Sequence, residues 1–198
     1  MRRLRLATLS EMRTQLRMRN RWAWAGLVAA TFALLAAPAS LAIEGSLFEH
    51  AWQWQDDRGE TVAFSRWRGE PLVVTVVYTT CKVRCPMTLN KLRKVEKAFT
   101  AKGMVAQFAL VTLDPAHDTQ EKLKAYKKSR HLADENWHLL NGGQAQTKEL
   151  LAFLGIKALE DGSHIDHDTK IFVFDREGKA ARSFEGWNFE DDKAVVAP

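Results

Sequence analysis

The chain has 198 residues, with 29 Lys and Arg against 24 Asp and Glu, a formal net charge of +5 and a pI near 9.3. The excess is local: residues 1–42 hold seven of the 29 basic residues and one of the 24 acids, leaving 22 against 23 and a net charge of −1 for residues 43–198. The high pI therefore gives no support to nucleic-acid binding, and the remaining 156 residues suffice for one well-buried domain.

The basic residues at the start are Arg2, Arg3, Arg5, Arg13, Arg17, Arg19 and Arg21, beside one acid, Glu11. From Trp22 to Ile43 there is no charge, and the run closes with Ala37-Pro38-Ala39-Ser40-Leu41-Ala42. A basic region, an apolar region and a small-x-small exit are the marks of a secretory signal, with cleavage expected after Ala42. The competing reading is an uncleaved anchor, because 22 uncharged residues exceed the roughly 20 that span a bilayer. Both readings predict export, with 1–42 as targeting segment and 43–198 as one domain. In an oxidising compartment two cysteines pair unless something keeps them reduced or metal-bound.

Along the main body, Asp56-Asp57-Arg58-Gly59 reads as a hairpin turn with Thr61-Val62-Ala63-Phe64 as the return strand. Leu72 to Tyr78 is an almost continuous β-branched run, as expected of a central strand covered on both faces. The period then turns helical: Leu89, Leu92, Val95 and Phe99 recur at three- and four-residue steps up to about Gly103. Pro86 suits a first helical position, which places Cys85 near the N-cap. Val105 to Leu113 reads as a second buried strand. Asp114-Pro115 turns the chain, and Asp118-Thr119-Gln120-Glu121 has the form of a capping box opening a helix through about Arg130. Trp137 to Leu140 is a short strand, Gln144 to Leu154 a helix ending at Gly155, and residues 170–174 and 180–184 flank a hairpin turn at Asp175-Arg176-Glu177-Gly178. This order predicts an α/β domain: a mixed central sheet flanked by helices, with an N-terminal β-hairpin. A cysteine pair opening the helix after a central strand points to a thioredoxin-like fold.

Cys81 and Cys85 are the only cysteines, in Tyr78-Thr79-Thr80-Cys81-Lys82-Val83-Arg84-Cys85-Pro86. Four residues of separation let both sulfurs face one side. A purely structural disulfide here closes so short a loop that it adds only about 2 kcal/mol, against about 3 for a loop of roughly 15 residues. A helix N-terminus at Cys85, with Lys82 and Arg84 alongside, favours thiolate instead. Thiolate serves redox chemistry and soft-metal binding equally, so a third ligand decides. Of six histidines (His50, His117, His131, His138, His164, His167), His167 stands apart. It precedes the strand Ile171–Phe174, in a loop expected to face the cysteine helix, and Asp166 and Asp168 flank it as candidates to orient its ring. Imidazole and thiolate together suit Cu(I) or zinc.

C-K-V-R-C-P after an apolar strand, D-P-A-H-D-T at 114–119 and D-H-D-T-K-I-F-V-F-D-R-E-G-K at 166–179 together resemble the Sco/SenC family of copper chaperones, over about Ser46 to Phe184. The resemblance implies a thioredoxin-like periplasmic domain, free or tethered to the inner membrane, that binds one copper through Cys81, Cys85 and His167. Cu(I) is the expected state, with Cu(II) as a second. The implied partners are the copper-site subunit of cytochrome c oxidase or a similar copper enzyme, together with other periplasmic copper or thiol-redox proteins. The task is to deliver copper to the binuclear centre or to reduce that centre's cysteines. Asp114 and Asp118 are read as a turn and a helix cap. Many members carry an acid between the cysteines where this chain has Lys82 and Arg84, which keeps a second reading open: a thiol–disulfide oxidoreductase working through Cys81 and Cys85. A peroxide-reducing enzyme of similar fold places Thr or Ser about three residues before its reactive cysteine, whereas Thr79 lies two before Cys81, and His167 has no part in that chemistry.

Overall fold

The structure, a computed structural model, describes residues 43–133, 135–161 and 164–186; the targeting segment expected at 1–42 lies outside them. The strands in chain order are β1 (Trp54–Asp56), β2 (Thr61–Val62), β3 (Leu72–Val77), β4 (Gln107–Thr112), β5 (Trp137–Asn141), β6 (Ala158–Asp161), β7 (His164–His167), β8 (Lys170–Phe174) and β9 (Ala180–Glu185). The helices are α1 (Arg84–Ala101), α2 (Gln120–Ser129) and α3 (Gly143–Leu154).

Seven strands form one sheet in the order β2-β1-β5-β4-β3-β8-β9. The β3–β4 and β4–β5 pairs are parallel and the rest antiparallel, so the sheet is mixed as expected. Every residue of β3 is buried because both faces are covered. Val73 and Val77 face one layer, where Leu89, Leu92, Val95 and Phe99 of α1 meet Leu123 and Tyr126 of α2. Leu72, Val74 and Val76 face the other, with Leu150 and Leu154 of α3 and a group of aromatics that includes Trp52, Trp54, Phe64 and Trp67. Among the described residues, no helix is long and apolar enough to cross a membrane.

Three details differ from expectation. The return strand stops at Val62, and Phe64 opens a 3-10 turn (Phe64–Trp67) that drives Phe64 and Trp67 into the aromatic layer. Burying two large rings outweighs two more ladder bonds on an edge strand. The cap of α2 is Thr119, whose hydroxyl accepts the Lys122 N–H, while Asp118 turns inward. Finally, β6 and β7 pair as a separate antiparallel hairpin, Ala158 opposite His167 and Leu159 opposite Asp166. His167 therefore ends a strand rather than sitting in a loop.

The N-terminal hairpin forms where expected, and its turn is pinned by carboxylates. Asp56 Oδ1 accepts the Arg58 and Glu60 N–H groups, and its Oδ2 faces Arg58 Nε. Burial works against the Asp56 charge, but those donors outweigh it and hold the carboxyl below its usual range. Asp57 reaches into the domain to Lys127 Nζ at 3.0 Å and accepts the Leu139 N–H.

Candidate functional site

The buried run of β3 delivers the chain to the cysteine turn at the C-terminal end of this central strand. Cys81 N–H donates to the Tyr78 carbonyl at 3.2 Å, so the turn begins at once. The helix starts at Arg84 with Val83 in the cap position and no side-chain cap. Cys85 thus lies inside the first turn and not at the N-cap. The missing cap is replaced by sulfur: Cys85 N–H donates to Cys81 Sγ at 3.3 Å.

The bonds between the two cysteines set which thiol ionises. Cys81 is held well below the ordinary thiol range, first by a hydrogen bond from the Cys85 thiol, with the Cys85 N–H and the Tyr78 hydroxyl adding to it against the cost of burial. Cys85 is pushed up, first by that same bond to the Cys81 sulfur and then by burial. The helix-end position favours a thiolate at Cys85 in the sequence; the structure assigns it to Cys81, because the Cys81 sulfur accepts from the Cys85 thiol first and then from the Cys85 N–H. Both thiols are free and buried, at 4% and 1% exposure.

Asp118 anchors the turn from below. Its carboxylate is fully buried and accepts the Thr79 N–H, the Thr79 hydroxyl and the Thr112 hydroxyl. It ties the segment two residues before Cys81 to the end of β4. Asp114 forms the expected turn, its carbonyl accepting the His117 and Asp118 N–H groups.

His167 is buried on β7, with 7% exposure. Its Nδ1 lies 2.9 Å from the Asp168 carbonyl, a bond that requires Nδ1–H. Its Nε2 is buried with no hydrogen-bond partner. A backbone carbonyl therefore orients the ring, and neither flanking carboxylate does: Asp166 pairs with Arg84, and Asp168 Oδ2 accepts the Lys157 N–H. Tyr78 bridges the two parts of the site. Its ring lies 6.2 Å from that of His167 and its hydroxyl 3.1 Å from His164 Nδ1, while it also hydrogen-bonds to Cys81. Burial and the Cys81 sulfur push its phenol up to about 12, so it stays a donor. Among the described residues, no three His, Cys, Asp or Glu side chains converge closely enough to hold a metal ion.

A model of the SCO1/SenC family matches residues 42–197. The chain belongs to the SCO1/SenC family. An SCO2-like protein of Rickettsia typhi is 26% identical over 141 residues, 68% of each chain. The structure of Arabidopsis thaliana ScoI with copper bound aligns with a TM-score of 0.66 at 18% identity, covering 78% of this chain and 93% of that one. BsSco, a member of the Sco family of cytochrome c oxidase assembly proteins in which a disulfide switch was identified, aligns at 0.63 and 19%, covering 76% and 90%. The fold is thioredoxin-like, as expected.

In this SCO1/SenC protein His164 shares the site through Tyr78, whereas three other histidines have separate surroundings. His117 pairs with Asp114 at 2.7 Å, and His50 stacks on Trp52. His138 is buried between Arg58 and Gln107. Tyr78 is a supporting residue that sequence reasoning missed, and Asp118, read as a helix cap, instead anchors the cysteine turn. Tyr78 had a signal, since a residue three before Cys81 at the end of a strand can fold back on the turn. Asp118 had none, because its inward course depends on Thr79 and Thr112.

Proposed function

We propose that this protein is an exported copper-binding metallochaperone that takes one Cu(I) on Cys81, Cys85 and His167. It passes copper to the binuclear copper centre of a respiratory oxidase, or prepares that centre's cysteines. The observation that carries the reading is His167 Nε2: a buried imidazole lone pair without a partner, fixed in the ligating tautomer by the Asp168 carbonyl. Beside it stand two thiols, one favoured as thiolate, and two soft sulfurs with one imidazole suit Cu(I). The three side chains do not converge in this structure, so binding would include bringing the imidazole and the sulfurs together. Copper in the Arabidopsis relative's structure, and the cytochrome c oxidase assembly role of the family to which BsSco belongs, support the cargo and the client. Residues 1–42 support the periplasm as the place of work, with the inner membrane as anchorage if the segment is retained.

Anaerobic titration of the reduced protein with Cu(I) under a competing chelator tests this. One ion per chain is expected, with His167→Ala weaker by orders of magnitude. A variant that holds copper as tightly as the parent would remove His167 from the ligand set.

The asymmetry of the thiols favours a second role for the same pair. Cys81 thiolate attacks one sulfur of a partner disulfide and expels the other as thiolate, which takes a proton. Cys85, deprotonated, then attacks Cys81 in the mixed disulfide and releases the partner's second thiolate. The partner gains two electrons and two protons; Cys81 and Cys85 end as a disulfide. A Cys85→Ser variant should trap the mixed disulfide with an oxidised copper-site domain, and failure to trap it would count against this role.

A further inference from the structure

Between the cysteines stands Arg84, and its guanidinium reaches across to the hairpin that carries His167. Nη1 donates to Asp166 Oδ1 at 2.5 Å and to the His167 carbonyl at 3.1 Å. Arg84 is the first residue of α1 and the neighbour of Cys85. One nitrogen thus joins the backbone beside one sulfur to the backbone of the imidazole. The β6–β7 hairpin is a two-stranded sheet separate from the seven-stranded one. A two-stranded hairpin is marginal by itself, so its placement depends on ties to the body. The Tyr78–His164 bond is one such tie and Arg84 makes another two.

We propose that Arg84 is a positioning residue for the metal site: its bridge to Asp166 and the His167 carbonyl holds β7 beside the cysteine turn and so places the His167 imidazole for ligation. The inference rests on the reading of Cys81, Cys85 and His167 as ligands. Its physical basis is preorganisation, in which the hairpin is ordered on folding and not when the metal arrives. Arg84 and Asp166 are 39% and 61% exposed, so the bridge adds little global stability and weakens as salt screens it. Its value lies in where it puts His167. The competing account is that Arg84 acts only as a positive charge near the thiolates, and the two accounts part in a double-mutant cycle.

Cu(I) affinities of the reduced protein are measured by anaerobic competition for the parent, Arg84→Met, Arg84→Lys, His167→Ala and Arg84→Met/His167→Ala. Arg84→Met is expected to weaken binding about 10-fold, the scale of a lost supporting contact at a metal site. Arg84→Lys keeps a donor nitrogen and should stay within about threefold of the parent. In the His167→Ala background Arg84→Met should change affinity by less than about twofold, because no imidazole remains to be placed. Without metal, the β7 amides should exchange faster in Arg84→Met and at the parent rate in Arg84→Lys. An equal loss in both backgrounds would make Arg84 a charge and nothing more. No loss, or tighter binding, would also overturn the proposal, the latter by making the bridge a brake on closure. A parent-like affinity in His167→Ala would instead sink the ligand set, and this inference with it.

Discussion

Two of the hairpins among the described residues, β1–β2 and β6–β7, are held in opposite ways. The β1–β2 hairpin joins the main sheet through β5, and its turn is fixed from inside by Asp56 and Asp57. The β6–β7 hairpin stands apart as its own sheet, and the bridge that ties Asp166 to the cysteine turn is partly open to solvent. The first is a piece of scaffold whose carboxylates all have donors. The second holds a buried imidazole nitrogen with none. An unpaired buried polar atom costs stability unless a ligand uses it. The contrast therefore separates carboxylates fixed inside the fold from an imidazole nitrogen with no hydrogen-bond partner, although Trp54 Nε1 on β1 is also buried without one.

Breaking the scaffold hairpin should have the largest effect. Asp57 and Lys127 are nearly inaccessible, at 3% and 4% side-chain exposure, and 3.0 Å apart. Asp57→Ala removes the carboxylate that faces a buried ammonium and also strips the Leu139 N–H of its acceptor. Losing one partner of a buried pair costs about 3–5 kcal/mol. Urea denaturation of the variant should show a loss of that size, and a loss under about 1 kcal/mol would mean the pair behaves like a surface one.

A pH scan gives a somewhat smaller effect from the same region. His138 is buried beneath Trp67, with Nδ1 accepting from Arg58 and Nε2–H donating to Gln107 Oε1. Burial first, then the Arg58 and Lys127 charges, lower its pKa to about 4; Asp57 and Asp56 pull the other way and are outweighed. The unfolded chain takes up this proton near its ordinary value of about 6.5, whereas the folded chain resists it until about 4. The contribution is therefore fully present above the unfolded value and is lost as pH falls through that window. The loss should be on the order of 3 kcal/mol. His138→Gln should flatten the stability profile between those two values, and an unchanged profile would assign the slope to other groups.

The asymmetry of the thiols predicts a change in reactivity and none in fold. Alkylation of the metal-free protein should modify Cys81 first, with a midpoint well below that of an ordinary thiol, while Cys85 resists. Faster modification of Cys85 would reverse the assignment.

Elements with strong periodicity were legible in the sequence. The run Leu72 to Tyr78 and the stripe Leu89, Leu92, Val95, Phe99 each state their period and burial outright, and both formed, the strand ending one residue earlier at Val77. The three residues proposed as ligands were legible through motif spacing. What escaped depends on distant partners. The β6–β7 hairpin is short and mostly exposed, so it shows no alternating apolar pattern, although the Asp161-Gly162 pair is a turn signal. Thr119 displaced Asp118 as cap because Thr79, remote in sequence, and Thr112 at the end of β4 claim the carboxylate. Arg84 looked like local charge for the thiols, and only the fold brings Asp166 within its reach.

The smallest expected effect on stability is also the sharpest on the comparison. Asp166→Ala removes the exposed partner of Arg84 and leaves the His167 carbonyl contact in place. An exposed ion pair contributes about 0–1 kcal/mol, so urea denaturation should barely distinguish this variant from the parent. That outcome, set beside Asp57→Ala, would show that carboxylates of the two hairpins do different work although each faces one cation. The decisive measurement is local. Amide exchange on β7 should rise in Asp166→Ala while that on β1 and β2 stays put, because only the separate hairpin can loosen without unfolding the sheet. A uniform rise across both hairpins would mean that β6–β7 belongs to the same cooperative unit as the scaffold, and that its placement comes from the core and not from the bridge.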